Sequence, residues 1–234
     1  MKFIKKIFRF IFKIALWFFI ISIGLTLIYR FIPVPVTPLM VIRLWEQAWD
    51  EKKDVRLYKD WVSIDNISKN MPQAVYAAED QKFLEHNGFD WKAMEEAWEK
   101  NKKGKRIKGA STISQQTAKN VFLWSGRSWL RKGLETGFTV LIEAAWGKPR
   151  ILEVYLNSIE FGPGVFGVEA AAQRYFGTTA AKLSRQQAAL LVTVLPNPHR
   201  FLLQRPSPYM YQRQQWVLKQ MRQLAPVAGK LAEY

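Results

Sequence analysis

The sequence has no cysteine among its 234 residues, so a disulfide framework, a thiol nucleophile and a cysteine metal site are all excluded. Acidic residues are scarce relative to basic ones, because 19 Asp and Glu stand against 35 Lys and Arg, for a formal net charge of +16. This excess indicates a polyanionic partner. Nucleic acid, anionic lipid headgroups and a phosphorylated substrate all fit, and charge alone does not choose among them.

Apolar residues, in contrast, are abundant. Hydrophobic residues make up 49% of the chain and aromatic residues 14%, which excludes a disordered protein. A chain of this length can form one sizeable domain beside an N-terminal anchor, whereas two full domains would be tight. We therefore expect a single catalytic or binding core.

The N-terminus carries an apolar segment from about residue 10 to residue 32, preceded by several lysines and an arginine. Roughly 20 apolar residues suffice for a spanning helix, and the positive flank predicts a cytoplasmic N-terminus with the rest of the chain outside. A cleaved signal peptide would need small residues before the cleavage site, but Arg30–Pro35 follow the apolar run instead. We predict a basic N-terminus and retained anchor over 1–32, a proline-rich connector over 33–39 and one folded domain over 40–234.

Hydrophobic periodicity and capping residues predict a mainly α (α+β) fold without internal repeats. Helices are expected over 40–49, from Asn70 to Glu79, from a Ser128 cap to about Trp146, from Lys148 to about Asn157, over 168–176, and after a capping box at Ser184. Strand-like alternation is confined to 61–64, and the lysine-rich stretch 99–109 is expected to be a mobile loop.

The block from Glu79 to Asp90 concentrates titratable groups at the end of a predicted helix. Glu79 is a candidate general base if its surroundings raise its pKa, and the adjacent Asp80 would act in that direction. The alternative is a solvated carboxylate at a helix end. His86 and Asp90 are expected to be structural.

A second block begins with Gly109 and the Ser111–Thr112 pair, which suit a turn into a helix. The free N–H groups of its first turn would form an anion site. Gln115, Gln116 and Lys119 follow within about two turns, with Gln115 and Lys119 on one face. An N-capped surface helix with solvated polar groups is the alternative.

Charged residues recur in a third block, which holds Arg127, Arg131, Lys132 and Glu135. A simple i,i+4 ion pair worth a few tenths of a kcal/mol is one interpretation. However, the neighbouring positions are strongly apolar, which favours a site over a solvated face. Two carboxylates, Glu79 and Glu135, with cations between them resemble the arrangement used in glycosyl chemistry.

These blocks, together with two later ones, resemble the successive motifs of the peptidoglycan glycosyltransferases in order and spacing over roughly residues 65–200. The five matching stretches are Glu79–Asp90, Gly109–Asn120, Arg131–Glu135, Lys148–Asn157 and Gly162–Gly177. The resemblance implies a lysozyme-like, mainly helical fold. It also implies polymerisation of lipid II, the undecaprenyl-diphosphate-linked disaccharide-pentapeptide, on the outer face of the bacterial cytoplasmic membrane.

The resemblance further implies roles for individual residues. Glu79 would take the proton from the acceptor's sugar 4-hydroxyl, which displaces the lipid diphosphate with inversion. Glu135 would assist on the donor side. Substrate contacts would come from Lys119, Arg127 and Arg131 at the diphosphate and from Asp80, Ser111, Gln115 and Gln116 along the cleft. No metal ligand is assigned, and assistance to the diphosphate by a divalent cation, Mg or Mn, stays open.

Many members of that family also carry a penicillin-binding transpeptidase domain. This chain stops before one and contains neither Ser-x-x-Lys nor Lys-Thr-Gly, so we expect a membrane-anchored enzyme without transpeptidase activity. The expected partners are lipid II, the growing glycan strand and membrane lipids, with other cell-wall synthesis or division proteins as further candidates and no nucleic acid.

Two other functions are compatible with parts of the sequence. A peptidoglycan-cleaving enzyme of the same fold would need one acid of raised pKa but no diphosphate contacts. A non-catalytic membrane scaffold would use the charge alone. We also predict that the basic stretch 100–108 and the apolar stretch 121–124 face the membrane or the growing chain; a solvated loop beside a core helix is the alternative.

Overall fold

The computed structural model describes residues 2–50, 54–102, 111–126 and 128–231. Within these ranges the chain is mostly helical, which confirms the mainly α prediction. The helices are α1 Lys2–Tyr29, α2 Pro38–Ala48, α3 Asn70–Glu79, α4 Trp91–Lys102, α5 Ile113–Phe122, α6 Trp129–Ala145, α7 Lys148–Ser158, α8 Val168–Phe176, α9 Arg185–Leu191, α10 Pro208–Gln223 and α11 Val227–Leu231. Short 3-10 turns lie at Ile64–Asn66, Ala180–Lys182 and Val192–Val194.

The first helix, α1, extends away from the rest of the protein over its N-terminal part and packs against it near its C-terminal end. Its segment Phe3–Tyr29 is long and apolar enough to cross a bilayer. The packed part is fixed by polar and aromatic contacts: the indole of Trp146 donates a 2.7 Å hydrogen bond to the carbonyl of Thr26, and the Phe18 and Phe138 rings meet edge to face. An apolar helix is therefore joined to the folded domain through α6.

The core is built around α5, which packs against α6 and α7, while α3 packs against α9 and α10. Side-chain caps fix where several of these helices begin. The hydroxyl of Ser128 accepts from the N–H of Arg131, and Ser184 forms the predicted capping box with Gln187. Each such cap contributes about 1 kcal/mol and depends on residues only three positions apart, so these helix starts could be predicted from the sequence.

A small sheet in the order β1-β3-β2 stands beside the helices. It comprises β1 (Tyr58–Lys59), β2 (Glu160–Gly162) and β3 (Val165–Phe166), with β1 parallel and β2 antiparallel to β3. The predicted strand over 61–64 is wrong. The Asn157 side chain accepts from the N–H of Val62 at 2.9 Å and donates to the Val62 carbonyl at 2.8 Å. These two bonds satisfy the backbone of Val62 without a neighbouring strand.

The loop predicted from residue 99 begins too early, because α4 continues to Lys102. Ion pairs along the helix support this last turn, with Lys100 3.3 Å from Glu96 and Lys102 3.4 Å from Glu99. Oppositely charged side chains three and four residues apart stabilise helices by a few tenths of a kcal/mol. The remainder of the predicted loop, residues 103–109, lies outside the described residues.

The stretch 121–124 was predicted to face the membrane or the growing chain, but most of it is buried. Val121 and Leu123 are each 2% exposed, and the ring of Phe122 stacks on Phe138 at 4.4 Å. Only Trp124, 40% exposed, keeps a large apolar surface in this stretch. The apolar run therefore belongs mainly to the core, and it contacts α1 through Phe122 and Tyr29.

Candidate active site

Glu79 is the last residue of α3, as the sequence predicted, and its carboxylate faces α5. The amide of Gln116 donates a 2.9 Å hydrogen bond to Glu79 Oε2, and the hydroxyl of the fully buried Tyr155 donates to the other end of the same amide at 3.2 Å. Burial raises the pKa of the Glu79 carboxyl, and the Gln116 bond and the cations Arg213 and Lys119 oppose that shift. Asp80 adds only a smaller push in the upward direction. The result is a positioned carboxylate suited to proton acceptance.

Asp80 connects Glu79's helix to the start of α5. Its Oδ2 accepts from the N–H of Ile113 at 3.1 Å and from Nε2 of His86 at 3.0 Å, while Oδ1 accepts from the N–H of Lys82 at 3.3 Å. Asp80 is only 8% exposed. Its carboxylate therefore serves as the anion at this helix N-terminus, where negative charge is favoured.

The predicted free anion site at the start of α5 is consequently wrong. The N–H of Ile113 already donates to Asp80, and the N–H of Gln115 donates to the Thr112 hydroxyl at 3.2 Å. The Gln115 side chain in turn accepts from the N–H of Thr112 at 3.1 Å, which completes a capping box. Gln115 is 2% exposed, so the structure gives it a capping role, whereas Ser111 just before the helix is exposed.

His86 is held as part of the scaffold beneath the site. Its Nδ1 accepts from the N–H of Gly88 at 3.1 Å, and its backbone carbonyl accepts from the ammonium of Lys148 at 2.6 Å. The same ammonium lies 2.8 Å from Glu143, whose carboxylate also accepts from the Ser114 hydroxyl. This network connects the loop after Glu79 with α5, α6 and α7.

Three basic side chains, Lys119, Arg131 and Lys132, lie on α5 and α6, and we call them the cationic wall. Glu135, 3% exposed, is their counter-ion: its carboxylate accepts from Arg131 at 2.8 Å and from Lys132 at 2.5 Å. Nε of Arg131 is buried and has no hydrogen-bond partner among the described residues. The wall therefore retains an unused, buried donor, which is suited to an oxyanion.

Lys119 is the electrostatic connection between the two carboxylates. Burial lowers the pKa of its ammonium; Glu135 raises it most, Glu79 raises it less, and Arg131 and Lys132 lower it. No hydrogen bond or ion pair fixes the Lys119 ammonium within the part of the chain that the structure describes. A cation that is partly desolvated and unpaired in this way is available to an anionic ligand.

Two clefts meet at the Glu79–Gln116 hydrogen bond. The first, of about 300 Å³, is lined by Gln116, Lys119 and Arg131 on one side. The second, of about 450 Å³, is lined by Glu79, Asp80, Ser111 and residues of α4. The site can therefore place an anionic group against the cations in one cleft and a proton donor beside Glu79 in the other.

Of the residues predicted from sequence, Glu79, Gln116, Lys119, Arg131 and Glu135 come together through these contacts and charges. Asp80 and Ser111 line the second cleft, and Gln115 lines neither cleft. Arg127 lies outside the described residues.

Two residues that contribute to the site were not predicted from the sequence. Arg213 on α10 lowers the pKa of Glu79 and donates to the carbonyl of Ala78 at 3.1 Å. No local pattern marks it. Tyr155 lies in a recognised block, but only the folded chain shows that it fixes Gln116.

The described acidic side chains of the site do not form a cluster of metal ligands. Among the described residues, no group of three or more His, Asp or Glu is arranged to hold a metal ion. The carboxylates of Asp80 and Glu135 already take several donors each. The described residues therefore do not supply a metal site of three or more protein ligands.

Comparison with known proteins agrees with this geometry. The family model described as transglycosylase matches residues 47–222. Similar curated proteins, each named biosynthetic peptidoglycan transglycosylase, come from Bdellovibrio bacteriovorus (54% identical, 94% of this chain and 88% of the relative), Pseudomonas fluorescens (54%, 94% and 92%) and Bacteroides thetaiotaomicron (53%, 93% and 88%). The expected lysozyme-like domain is thereby confirmed. The chain belongs to the transglycosylase family of glycosyltransferases.

Proposed function

We propose that this chain polymerises lipid II into β-1,4-linked glycan strands of peptidoglycan and releases undecaprenyl diphosphate. The observation that carries the proposal is the single hydrogen bond between Glu79 and Gln116, because it joins a carboxylate of raised pKa to the cleft of the cationic wall. Glycosyl transfer from a diphosphate donor needs these two features side by side. The names of the related proteins support the same substrate class.

Glu79 acts on the acceptor. A sugar 4-hydroxyl in the second cleft gives its proton to the Glu79 carboxylate while its oxygen forms a bond to the anomeric carbon of the donor. The bond from that carbon to the diphosphate oxygen breaks, and its electron pair leaves with the diphosphate. Attack opposite to the leaving group inverts the anomeric carbon, and general-base assistance of this kind contributes about 10² to 10⁴ in rate.

The cationic wall acts on the donor. Lys119 and Arg131 face the first cleft and stabilise the negative charge that collects on the departing diphosphate. Glu135 fixes Arg131 from behind, at 2.8 Å. Arg127 is assigned to the same diphosphate by the family resemblance. A peptidoglycan-cleaving enzyme, which acts on a neutral polysaccharide, would have no use for cations at this position.

The anchor determines where the reaction occurs. We place α1 across the bacterial cytoplasmic membrane with its lysine-rich start inside, following the excess of positive charge, and the clefts on the outer face. The substrates are lipid II and the growing strand, with membrane lipids around α1 and other cell-wall proteins as candidate partners. We assign no transpeptidase activity to this chain.

A divalent cation is not assigned to the protein. The described residues include no group of three or more potential ligands, and any Mg or Mn ion that assists would add positive charge at the diphosphate. The steps above therefore use only the chain's own side chains.

The test is incubation of the purified full chain with labelled lipid II, followed by gel separation of the products. We expect a ladder of glycan strands that lysozyme degrades, because lysozyme cleaves β-1,4 linkages. A label on the pentapeptide should show no crosslinking. Absence of any strand, or strands that resist lysozyme, would contradict the proposal.

A further inference from the structure

The first cleft is lined not only by α5 and α6 but also by residues from elsewhere in the chain. This second part of the lining comes from α2, from the start of β2 and from the segment that follows the 3-10 turn Val192–Val194. Among its described residues it contains one basic side chain, Arg43, and one acidic side chain, Glu160. Arg43 therefore lines the same cleft as Lys119 and Arg131 of the cationic wall.

The guanidinium of Arg43 is held in place but not used up. Its Nε donates to Glu160 at 3.2 Å, and its Nη1 donates to Glu46 at 2.6 Å. Its Nη2 makes no hydrogen bond to the residues that the structure describes, and the side chain is 23% exposed. Because a guanidinium has five N–H donors, Arg43 keeps donors that a ligand in the cleft can use.

Glu160 fixes the position of Arg43 from a buried site. Its side chain is 5% exposed, and its second carboxylate oxygen lies 2.9 Å from Nε2 of His199. A buried carboxylate is stable only when such partners compensate it, so Glu160 holds Arg43 and His199 together across 117 and 39 residues of sequence. Neither Arg43 nor Glu160 lies in the five stretches that resemble the family motifs.

We propose that Arg43 is a further contact for the diphosphate of the donor and that Glu160 is its positioning residue. This inference rests on the proposed function, since it assumes a diphosphate donor in the first cleft. The diphosphate gains negative charge as it leaves, and a fixed guanidinium suits phosphate oxygens in both charge and geometry. Glu160, the only acid among the described lining residues, does not oppose an anion here, because Arg43 and His199 already pair with it.

The experiment separates binding of the diphosphate from support of the fold. Arg43→Gln removes the cation but leaves Glu160 buried with one partner fewer, so Tm should fall. The double variant Arg43→Gln with Glu160→Gln removes both charges of the buried pair, so Tm should recover. Arg56→Gln is the matched control, because Arg56 forms an exposed ion pair with Asp54 and lines neither cleft.

Two quantities are measured for each full-length variant in detergent. The first is the Kd of inorganic diphosphate, obtained by isothermal titration calorimetry in buffer with EDTA, which needs no catalytic activity. The second is kcat/KM for strand formation from labelled lipid II. The two measurements together distinguish a loss of diphosphate binding from a loss of activity.

We expect Arg43→Gln to raise the Kd of diphosphate about tenfold and to lower kcat/KM about ten- to a hundredfold, because a charge-assisted contact is lost. The double variant should regain Tm but not affinity or rate, and Arg56→Gln should match the wild type in both.

Equal Kd for the wild type and Arg43→Gln would overturn the inference, even if kcat/KM fell, because Arg43 would then act elsewhere on the donor. A wild-type Kd in the double variant would also overturn it, because the loss in Arg43→Gln would then come from the unpaired Glu160. If instead the wild type forms no strands from lipid II, the proposed function fails, and the inference falls with it.

Discussion

Glu135 is the buried counter-ion of the cationic wall, and its replacement by glutamine tests how that wall is organised. Glu135→Gln keeps the size of the side chain and one acceptor oxygen but removes the charge shared by Arg131 and Lys132. Three cations would then lie together without compensation. Both stability and the pH dependence of the rate should respond.

The structure gives the size of the stability loss. Removing one partner of a fully buried ion pair costs about 3–5 kcal/mol, whereas an exposed pair contributes about 0–1 kcal/mol. The side chains of Glu135 and Arg131 are 4% and 11% exposed and that of Lys132 is 39% exposed, so only the first pair approaches the buried limit. Because glutamine retains a hydrogen bond, we expect a loss of about 2 kcal/mol, or roughly 4–8 °C in Tm for a chain of this length.

The pH dependence follows from Lys119. Glu135 is the strongest influence that raises the pKa of Lys119, opposing the burial that lowers it. Without that charge the pKa falls further, and the ammonium loses its proton at lower pH. Since the proposed mechanism needs Lys119 positively charged, the alkaline limb of the rate profile should move to lower pH in Glu135→Gln.

Glu153→Gln is the matched control. Glu153 forms a 2.6 Å ion pair with Arg150 on α7, and its side chain is 14% exposed, but it lines neither cleft. It should also lower Tm while leaving the alkaline limb in place. An unchanged alkaline limb in Glu135→Gln would refute the assignment of Lys119 as a charged group controlled by Glu135.

Three further outcomes are expected. Gln116→Leu removes a hydrogen bond that lowers the pKa of Glu79, so the acid limb of the rate profile should move to higher pH. The loss of rate relative to the wild type should therefore be smaller at alkaline pH. An acid limb at the wild-type pH would show that this hydrogen bond does not control the proton acceptor. Asp80→Asn weakens the bonds to Ile113 and His86 and should cost about 1–3 kcal/mol in denaturant unfolding, whereas wild-type stability would contradict a structural role. Removing divalent cations with EDTA should leave Tm unchanged, because the described residues include no group of three or more metal ligands. A lower Tm in EDTA would indicate that the folded protein itself binds a metal ion.

The helices could be predicted where their signals are local. Ser128 and Ser184 mark helix starts because their own side chains cap the first turn, and Gly177, directly after the predicted helix 168–176, ends α8 in the left-handed conformation. Glu79 lies at the end of α3, as predicted, because Asn70, Pro72 in the first turn and the apolar residues that follow indicate that helix. These features depend on residues only a few positions apart.

The wrong predictions concern segments whose structure depends on contacts with residues far away in the sequence. The strand expected at 61–64 is replaced by contacts with Asn157, which is 95 residues from Val62. The anion site expected at the start of α5 is filled by Asp80, 33 residues before Ile113. No periodicity or capping rule contains such contacts, so the sequence could not reveal them.

In the candidate site, too, the residue types could be predicted from the sequence, whereas the effects of packing could not. The two carboxylates and the cations were identifiable as residue types in ordered blocks, and the folded chain brings them together. What the sequence could not show is that burial, more than Asp80, raises the pKa of Glu79, or that Arg213, 134 residues later in the chain, acts against it. Both effects depend on packing between α3, α5 and α10.

The rate of strand formation by Glu79→Gln, measured with labelled lipid II beside Glu85→Gln, tests the central claim most directly. Glu85 is an exposed carboxylate six residues away and serves as the control. We predict that Glu79→Gln lowers the rate about 10² to 10⁴-fold at unchanged Tm or above, while Glu85→Gln stays near wild type. A rate for Glu79→Gln close to that of the wild type would show that another group accepts the proton.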